Sequence, residues 1–385
     1  MSGHAITARR VFDGVAVRED AAVLVDGGTI AAVVPRTEIP ATIPIRALPD
    51  NAWLAPGFID IQVNGGGDVL FNDAPTPDAI RAIVKAHRRF GTTALLPTLI
   101  SDSAEKMTAA MAAAAALAGQ EPSVLGIHLE GPFLSPEKPG VHDPRAVRRP
   151  TMQDLASLTA PRRGVTLVTL APEQVPADFI GKLAAAGLKI ALGHSMATYT
   201  QTKAAMIAGL SGFTHLFNAM RPLESREPGP IAAALESPQA WYGLIVDGVH
   251  VAPPMLRLAL RGAGRPILVT DAMPPVGGTR SSFTLGGETV VVRDGRCVTK
   301  NGTLAGAYLD MAGAVRNCVR MLDVPLTDAL RFASAHPADF LGLGHKLGKL
   351  APGFRADMVA FDGETIKPIG TWVAGSAMSQ DYSSS

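Results

Sequence analysis

Four acidic or imidazole side chains stand at the ends of apolar runs along this 385-residue chain. Val124-Leu125-Gly126-Ile127-His128-Leu129 delivers Glu130, and Ala191-Leu192-Gly193 leads to His194. Phe213-Thr214 leads to His215, and Ile267-Leu268-Val269-Thr270 to Asp271. A bare carboxylate at the end of a buried strand is costly without a partner or a metal. Two neutral imidazoles and one carboxylate form a common catalytic zinc set, with a position left open for water. A dication shared by Glu130, His194 and His215 would therefore balance the acid, with Asp271 at the same end. Singly, each residue has a plainer reading: Glu130 as a helix cap or ion-pair partner, either imidazole as a hydrogen-bonded structural group, Asp271 as a turn cap. Their occurrence together, on ordered strands and at one end, is what points to a metal. His128 reads as a satisfied core histidine. His4, His87, His336 and His345 read as structural or solvated.

Those residues need a scaffold that gathers strand ends. Eight apolar strand candidates occur in order: Phe58 to Val63, Ala94 to Leu99, Val124 to Glu130, Val165 to Leu170, Lys189 to His194, Gly212 to His215, Tyr242 to Asp247 and Pro266 to Asp271. Period-two alternation puts Gly126, His128 and Glu130 on one face of the third, and Ile190, Leu192 and His194 on one face of the fifth. Helical patterns lie between most of them: Asp78 to Phe90, Ser103 to Ala118, Pro176 to Ala186, Thr198 to Ala208 and Pro254 to Gly262. Alternating strands and helices imply a parallel sheet, and eight such units fit a (β/α)8 TIM-like barrel, whose chemistry collects at the C-terminal strand ends. A doubly wound open sheet is the alternative, but no Gly-rich dinucleotide fingerprint follows the first strand. Phe283 to Val298 reads as a hairpin turning at Asp294-Gly295. Helices resume over Asp310 to Leu322 and Thr327 to Phe340.

Short strands at both termini, Ala5 to Ala8, Ala21 to Val25 and Thr29 to Val34, then Asp357 to Gly363 and Lys367 to Ala374, suggest a small discontinuous β-sandwich domain. The expected division is 1–53 and 348–385 for that domain and 54–347 for the barrel. The last seven residues read as a frayed tail. Apolar residues make up 47% and charged residues 18%, enough for a large core and against disorder. A net charge of +1 offers no broad field for nucleic acid or an anionic membrane. The N-terminus lacks an apolar signal stretch, and no run reaches the roughly 18 residues of a membrane span. Two cysteines, Cys297 and Cys318, suggest no disulfide framework. A cytoplasmic protein is expected.

Several stretches carry a family resemblance. Pro56-Gly57-Phe58-Ile59-Asp60 resembles the opening strand of the amidohydrolase superfamily. Gln62-Val63-Asn64-Gly65-Gly66-Gly67, His128 to Phe133 (HLEGPF), Gly140-Val141-His142, Thr169 to Glu173 (TLAPE) and Gly193-His194-Ser195 narrow it. Thr214 to Met220 (THLFNAM), Asp247 to His250 (DGVH), Thr270-Asp271-Ala272 and Gly302 to Gly306 (GTLAG) do so further. Together, over nearly the whole chain and in order, they resemble the N-acetylglucosamine-6-phosphate deacetylases. HLEGPF and THLFNAM are the specific ones.

The resemblance implies hydrolysis of the acetamide of N-acetylglucosamine 6-phosphate. It implies one divalent metal per subunit on Glu130, His194 and His215, zinc first and Fe2+ or another divalent ion next. Many superfamily members carry His-x-His on the first strand for a second metal. Here that place holds Gln62 and Asn64, a remnant whose amides are poor ligands. By the same resemblance Asp271 moves the protons and His142 polarises the carbonyl. Val141, Asn218, Ala219, His250 and the backbone of Leu304, Ala305, Gly306 and Ala307 line the sugar. Arg226, from a neighbouring subunit of a homodimer, grips the phosphate; the plainer reading of Arg226 is an ion pair with Glu224 or Glu227. Rival expectations are N-acetylgalactosamine 6-phosphate as substrate, another amide such as a cyclic one, or an inactive barrel kept as a binding module.

Overall fold

Runs such as Val165–Leu170 are buried at nearly every position, as strands covered on both faces must be. The computed structural model describes residues 3–377. In it, eight strands form one sheet in the order of the chain. They are Phe58–Val63, Thr92–Ile100, Gly126–Glu130, Val165–Leu170, Lys189–Leu192, Gly212–Phe213, Trp241–Leu244 and Arg265–Leu268. Neighbours along the sheet are parallel. The first and last are joined by a parallel bridge between Val63 and Ala272 and by Asp271 N–H donating to Gln62 O at 3.0 Å. The sheet is thus drawn round into a barrel. Val168, Leu170, Ile190 and Leu192 are all fully buried. Burial of such a side chain contributes about 1.5–3 kcal/mol.

The covering helices start where local chemistry tells them to. Ser103 caps Ala104–Leu117 by accepting from Lys106 N–H. Thr198 and Gln201 form a capping box on Tyr199–Ile207. Two helices, Met152–Thr159 and Gly229–Glu236, are additional to the periodic segments, each being only eight residues long and so too short to set a clear period. The single helix expected over Thr327 to Phe340 is two, Leu326–Ala333 and Ala335–Phe340, broken at Ser334. Pro337 is the cause: it lacks an N–H, and its ring opposes a helical carbonyl four residues back.

Two further corrections bear on the site. The hairpin at Phe283 to Val298 is part of a four-stranded antiparallel sheet, Ser282–Leu285, Glu288–Arg293, Arg296–Thr299 and Leu304–Ala307. Asp294 and Gly295, both with positive φ, make its expected turn. Strands five, six and eight end at Leu192, Phe213 and Leu268, before the functional residues rather than on them.

The terminal strands share one sheet. Its path pairs Met358–Asp362 with Ala52–Pro56, so both ends of the chain meet beside the barrel. Trp372, Ile6, Leu54 and Met358 are buried in its own apolar cluster. The tail expected at the C-terminus lies outside the described residues.

Candidate metal and acid–base centre

Glu130 ends the third barrel strand, in register with Ile100 on one side and Thr169 on the other. His194, His215 and Asp271 come just after their strands, with φ of 49°, 32° and 51°. The left-handed region costs a non-glycine residue about 1–3 kcal/mol and clusters at functional sites. Here it turns each chain sharply and swings the side chain over the barrel mouth. Loop contacts hold the turns. Ser195 N–H donates to Ala219 O at 3.0 Å and Arg221 N–H to Ser195 O at 2.8 Å, which couples the His194 loop to the His215 loop. Glu173, from the TLAPE stretch, accepts from Ser195 Oγ at 2.7 Å and from Met196 N–H at 2.5 Å.

Glu130 Oε1, His194 Nε2 and His215 Nε2 form a triangle with sides of 3.2, 2.9 and 3.1 Å. All three residues are buried. His194 Nδ1 lies 2.8 Å from Lys138 O, and a carbonyl only accepts, so Nδ1 carries the proton. The neutral ring then aims its Nε2 lone pair at Glu130 Oε1 and His215 Nε2. Lone pairs converging at such distances repel unless positive charge lies among them. A tetrahedron with bonds of about 2.0–2.2 Å has edges of about 3.3–3.6 Å, so the triangle needs to open by only a few tenths of an ångström to hold an ion. The donor set therefore fits a divalent ion of borderline softness.

The electrostatics call for the same positive charge. Burial alone would raise Glu130, and positive charge at the His194 and His215 corners, carried as ring protons when no ion is bound, holds it well below the usual carboxylate range. Burial would lower His215, but the Glu130 contact raises it. Asp271 is pushed up, first by burial and then by the Glu130 charge.

Gln62 and Asn64, the pair at the place of a second metal, are hydrogen-bond donors here. Gln62 Nε2 lies 3.3 Å from each Glu130 oxygen and 3.1 Å from Asp271 Oδ1. Asn64 Nδ2 donates to the same Asp271 oxygen at 2.6 Å. The amides thus separate two carboxylates that would otherwise repel. Beneath them Asp60, raised to about 7 by burial, accepts from Thr270 Oγ1 at 2.5 Å and from Gln62 N–H at 3.1 Å. That ties the first strand to the turn that carries Asp271. His128 lies in the barrel interior as a satisfied core residue: Nδ1 donates to Ile61 O at 3.0 Å, and Nε2 is 2.7 Å from Thr169 Oγ1. Burial lowers it to about 4.

A cavity of about 190 Å³ opens above this centre. Asn64, Glu130, Val141, His142, His194, His215, Asn218, Ala219, His250, Asp271, Leu304 and Gly306 line it. His142 stacks at a tilt on His194, with ring centroids 4.4 Å apart, and burial followed by the His194 charge lowers it to about 3. His250 Nδ1 lies 2.6 Å from Asp247 Oδ2. Ala305 and Ala307 do not line the cavity; Ala307 N–H instead donates to Asp271 O at 2.9 Å and braces that turn. Arg226 is exposed and outside the cavity of its own chain. It makes no ion pair with Glu224 or Glu227 among the described residues; Glu227 accepts from Tyr199 and Gly229 N–H instead. Asn72, Met273 and Leu285 also line the cavity. Sequence reasoning passed over them, and only the Gly-rich turn at Gly286-Gly287 hinted that Leu285 sits at a hairpin tip.

Comparison with known proteins points one way. A model of the amidohydrolase family matches residues 53–379. An N-acetylgalactosamine-6-phosphate deacetylase of Shewanella sp. is 44% identical over 86% of this chain and 84% of its own. An N-acetylglucosamine-6-phosphate deacetylase of Haemophilus influenzae is 35% identical over 93% of this chain and 95% of its own. The crystal structure of the N-acetylglucosamine-6-phosphate deacetylase from Pasteurella multocida superposes with a TM-score of 0.95 at 35% identity, covering 98% of this chain and 100% of that one. With a matched family model, relatives of this identity and a shared barrel, this chain belongs to the amidohydrolase family.

Proposed function

We propose that this protein removes the acetyl group from N-acetyl-D-glucosamine 6-phosphate, giving D-glucosamine 6-phosphate and acetate. The observation that carries the reading is the Glu130–His194–His215 triangle beside an Asp271 of raised proton affinity, in a chain whose relatives bear that activity in their names. A divalent ion on those three residues, zinc by the donor set, supplies Lewis-acid polarisation and a water of lowered pKa.

The chain's own residues do the rest. Gln62 and Asn64 occupy Asp271 Oδ1, which leaves Oδ2 free toward the cavity. Oδ2 takes a proton from the attacking water and gives it to the amine as the C–N bond breaks. His142 faces the amide carbonyl. Val141, Asn218, Ala219, His250, Leu304 and Gly306 enclose the sugar. No lysine or arginine lines the cavity, although the substrate carries a phosphate. That lack supports a homodimer in which the partner's copy of the exposed Arg226 loop completes the site. A guanidinium suits phosphate by its planar fork. The terminal segments 1–53 and 348–385 serve as a supporting unit for the barrel at 54–347. Both cysteines are buried and unpaired, in keeping with a cytoplasmic enzyme. No helix of the described residues is long and apolar enough to cross a membrane.

The identity of 44% to an N-acetylgalactosamine-6-phosphate deacetylase favours one second reading, the C4 epimer as substrate. Acetate release from both sugar phosphates, with metal content determined by elemental analysis, decides between them. Faster turnover per KM of the galacto epimer would select the second reading. No acetate from either, at full metal content, would refute both.

A further inference from the structure

Ser101 directly follows the second barrel strand and belongs to none of the motif stretches. It is buried at 5% exposure. Its backbone N–H donates to His142 Nδ1 at 3.2 Å, and its hydroxyl lies 2.8 Å from the same nitrogen. A backbone N–H only donates, so Nδ1 is unprotonated and the hydroxyl donates to it as well. A neutral imidazole carries one N–H, which must then be on Nε2. Nε2 has no protein partner among the described residues, yet it is not one of the buried unpartnered atoms; it opens on the cavity that His142 lines.

The surroundings are built for this placement. Asn72 Oδ1 accepts from Ile100 N–H at 3.0 Å while its Nδ2 donates to Ile100 O at 3.1 Å, which clamps the residue before Ser101. Gly131, the glycine of HLEGPF, has φ of +99°, and a Cβ there would stand 2.2 Å from Ser101 Oγ. Its missing side chain leaves room for the hydroxyl.

We infer that Ser101 is a positioning residue that fixes His142 as the Nε2–H tautomer, so that the ring meets a bound acyl group as a neutral hydrogen-bond donor and not as a base. What that donor acts on rests on the deacetylase reading; the tautomer does not. His142 keeps its proton throughout, donating to the carbonyl oxygen as it gains negative charge. The water proton goes to Asp271 and from there to the amine.

The test uses the full chain loaded with zinc and labelled with 15N at histidine. Ring proton–nitrogen correlation spectra, with His142 assigned by loss of its signals in His142→Gln, are expected to show Nδ1 unprotonated and Nε2 protonated. Ser101→Ala keeps the backbone N–H, so Nδ1 is expected to stay unprotonated, but without the nearer hydroxyl donor its resonance should shift and kcat should fall roughly tenfold, the scale of one hydrogen bond. KM should move less than about twofold at unchanged zinc content, and Ser101→Thr should restore both spectrum and kcat. Should the alanine variant not fold, Ser101→Cys, a weaker donor of similar size, replaces it. Nδ1 protonated in the wild type would overturn the inference. So would an alanine variant that leaves the Nδ1 resonance and kcat unaltered, or one that loses kcat with that resonance unmoved. If neither sugar phosphate is hydrolysed, the deacetylase reading falls by itself and the wild-type spectrum still decides the tautomer.

Discussion

Asp271 shows how little of a carboxylate is left to chance at this centre. One oxygen takes two amide donors, and the other faces the cavity. Asp271→Asn keeps the shape and removes the proton acceptor, so kcat is expected to fall by roughly 10²–10⁴. Steady-state kinetics on the metal-loaded variant checks this, and near-normal turnover would remove Asp271 from the proposed mechanism. His215 tests the metal itself. Its Nε2 is one corner of the triangle, and His215→Ala leaves two ligand atoms. Elemental analysis of the purified variant is expected to show most of the metal gone while circular dichroism keeps its barrel signature; full occupancy would refute the ligand assignment.

The elements matter because each holds a site residue by a contact remote from the chemistry. The helix Pro77–Arg88 carries His87, fully buried, with Nε2 2.9 Å from Gly65 O in the turn after the first barrel strand. Burial lowers His87 from 6.5 to about 4. Between those values the unfolded chain binds the proton and the folded chain does not. Its contribution is therefore complete above pH 6.5 and is lost as pH falls through 6.5 toward 4, amounting to roughly 3 kcal/mol in all. His87→Gln retains a donor to Gly65 O and removes the titration. Urea unfolding at pH 7.5 and pH 5 is expected to show a smaller acid-induced loss in the variant than in the wild type. Equal losses would mean that His87 is not the group responsible.

At the scale of the whole molecule, the cavity holds imidazoles, amides and carboxylates but no fixed cation. Two cations of the same subunit, Arg145 and Lys106, lie on adjoining clefts that share Val141 and Leu285 with the cavity, and each is already paired with an aspartate. Arg226→Ala is accordingly expected to raise KM for the 6-phosphate at least tenfold while leaving any turnover of unphosphorylated N-acetylglucosamine nearly unchanged. The two substrates compared in one assay check this. An equal loss for both would assign Arg226 to folding or assembly rather than to phosphate. Sedimentation of the wild type tests the accompanying dimer.

Much of this protein is written in local pattern. The apolar runs and their spacing sufficed for eight parallel strands, because a strand buried on both faces is largely apolar. Glu130, His194, His215 and Asp271 were legible because each ends such a run, and the helices opening at Ser103 and Thr198 because their residue pattern is local. The left-handed turns at His194, His215 and Asp271 were not legible, since His and Asp visit φ above zero more readily than most residues but far too seldom to single out three positions. Long-range contacts, Ser195 to Ala219 and Ala307 to Asp271, impose them. The role of Gln62 and Asn64 as donors between two carboxylates, and that of Ser101 as the partner of His142, likewise arise only when separate strands close into a barrel. Residue types and spacing thus determined which groups exist and which end of the sheet they occupy. Tertiary structure alone decided which atoms face one another, because hydrogen-bond direction depends on neighbours that lie tens to hundreds of residues away in the chain.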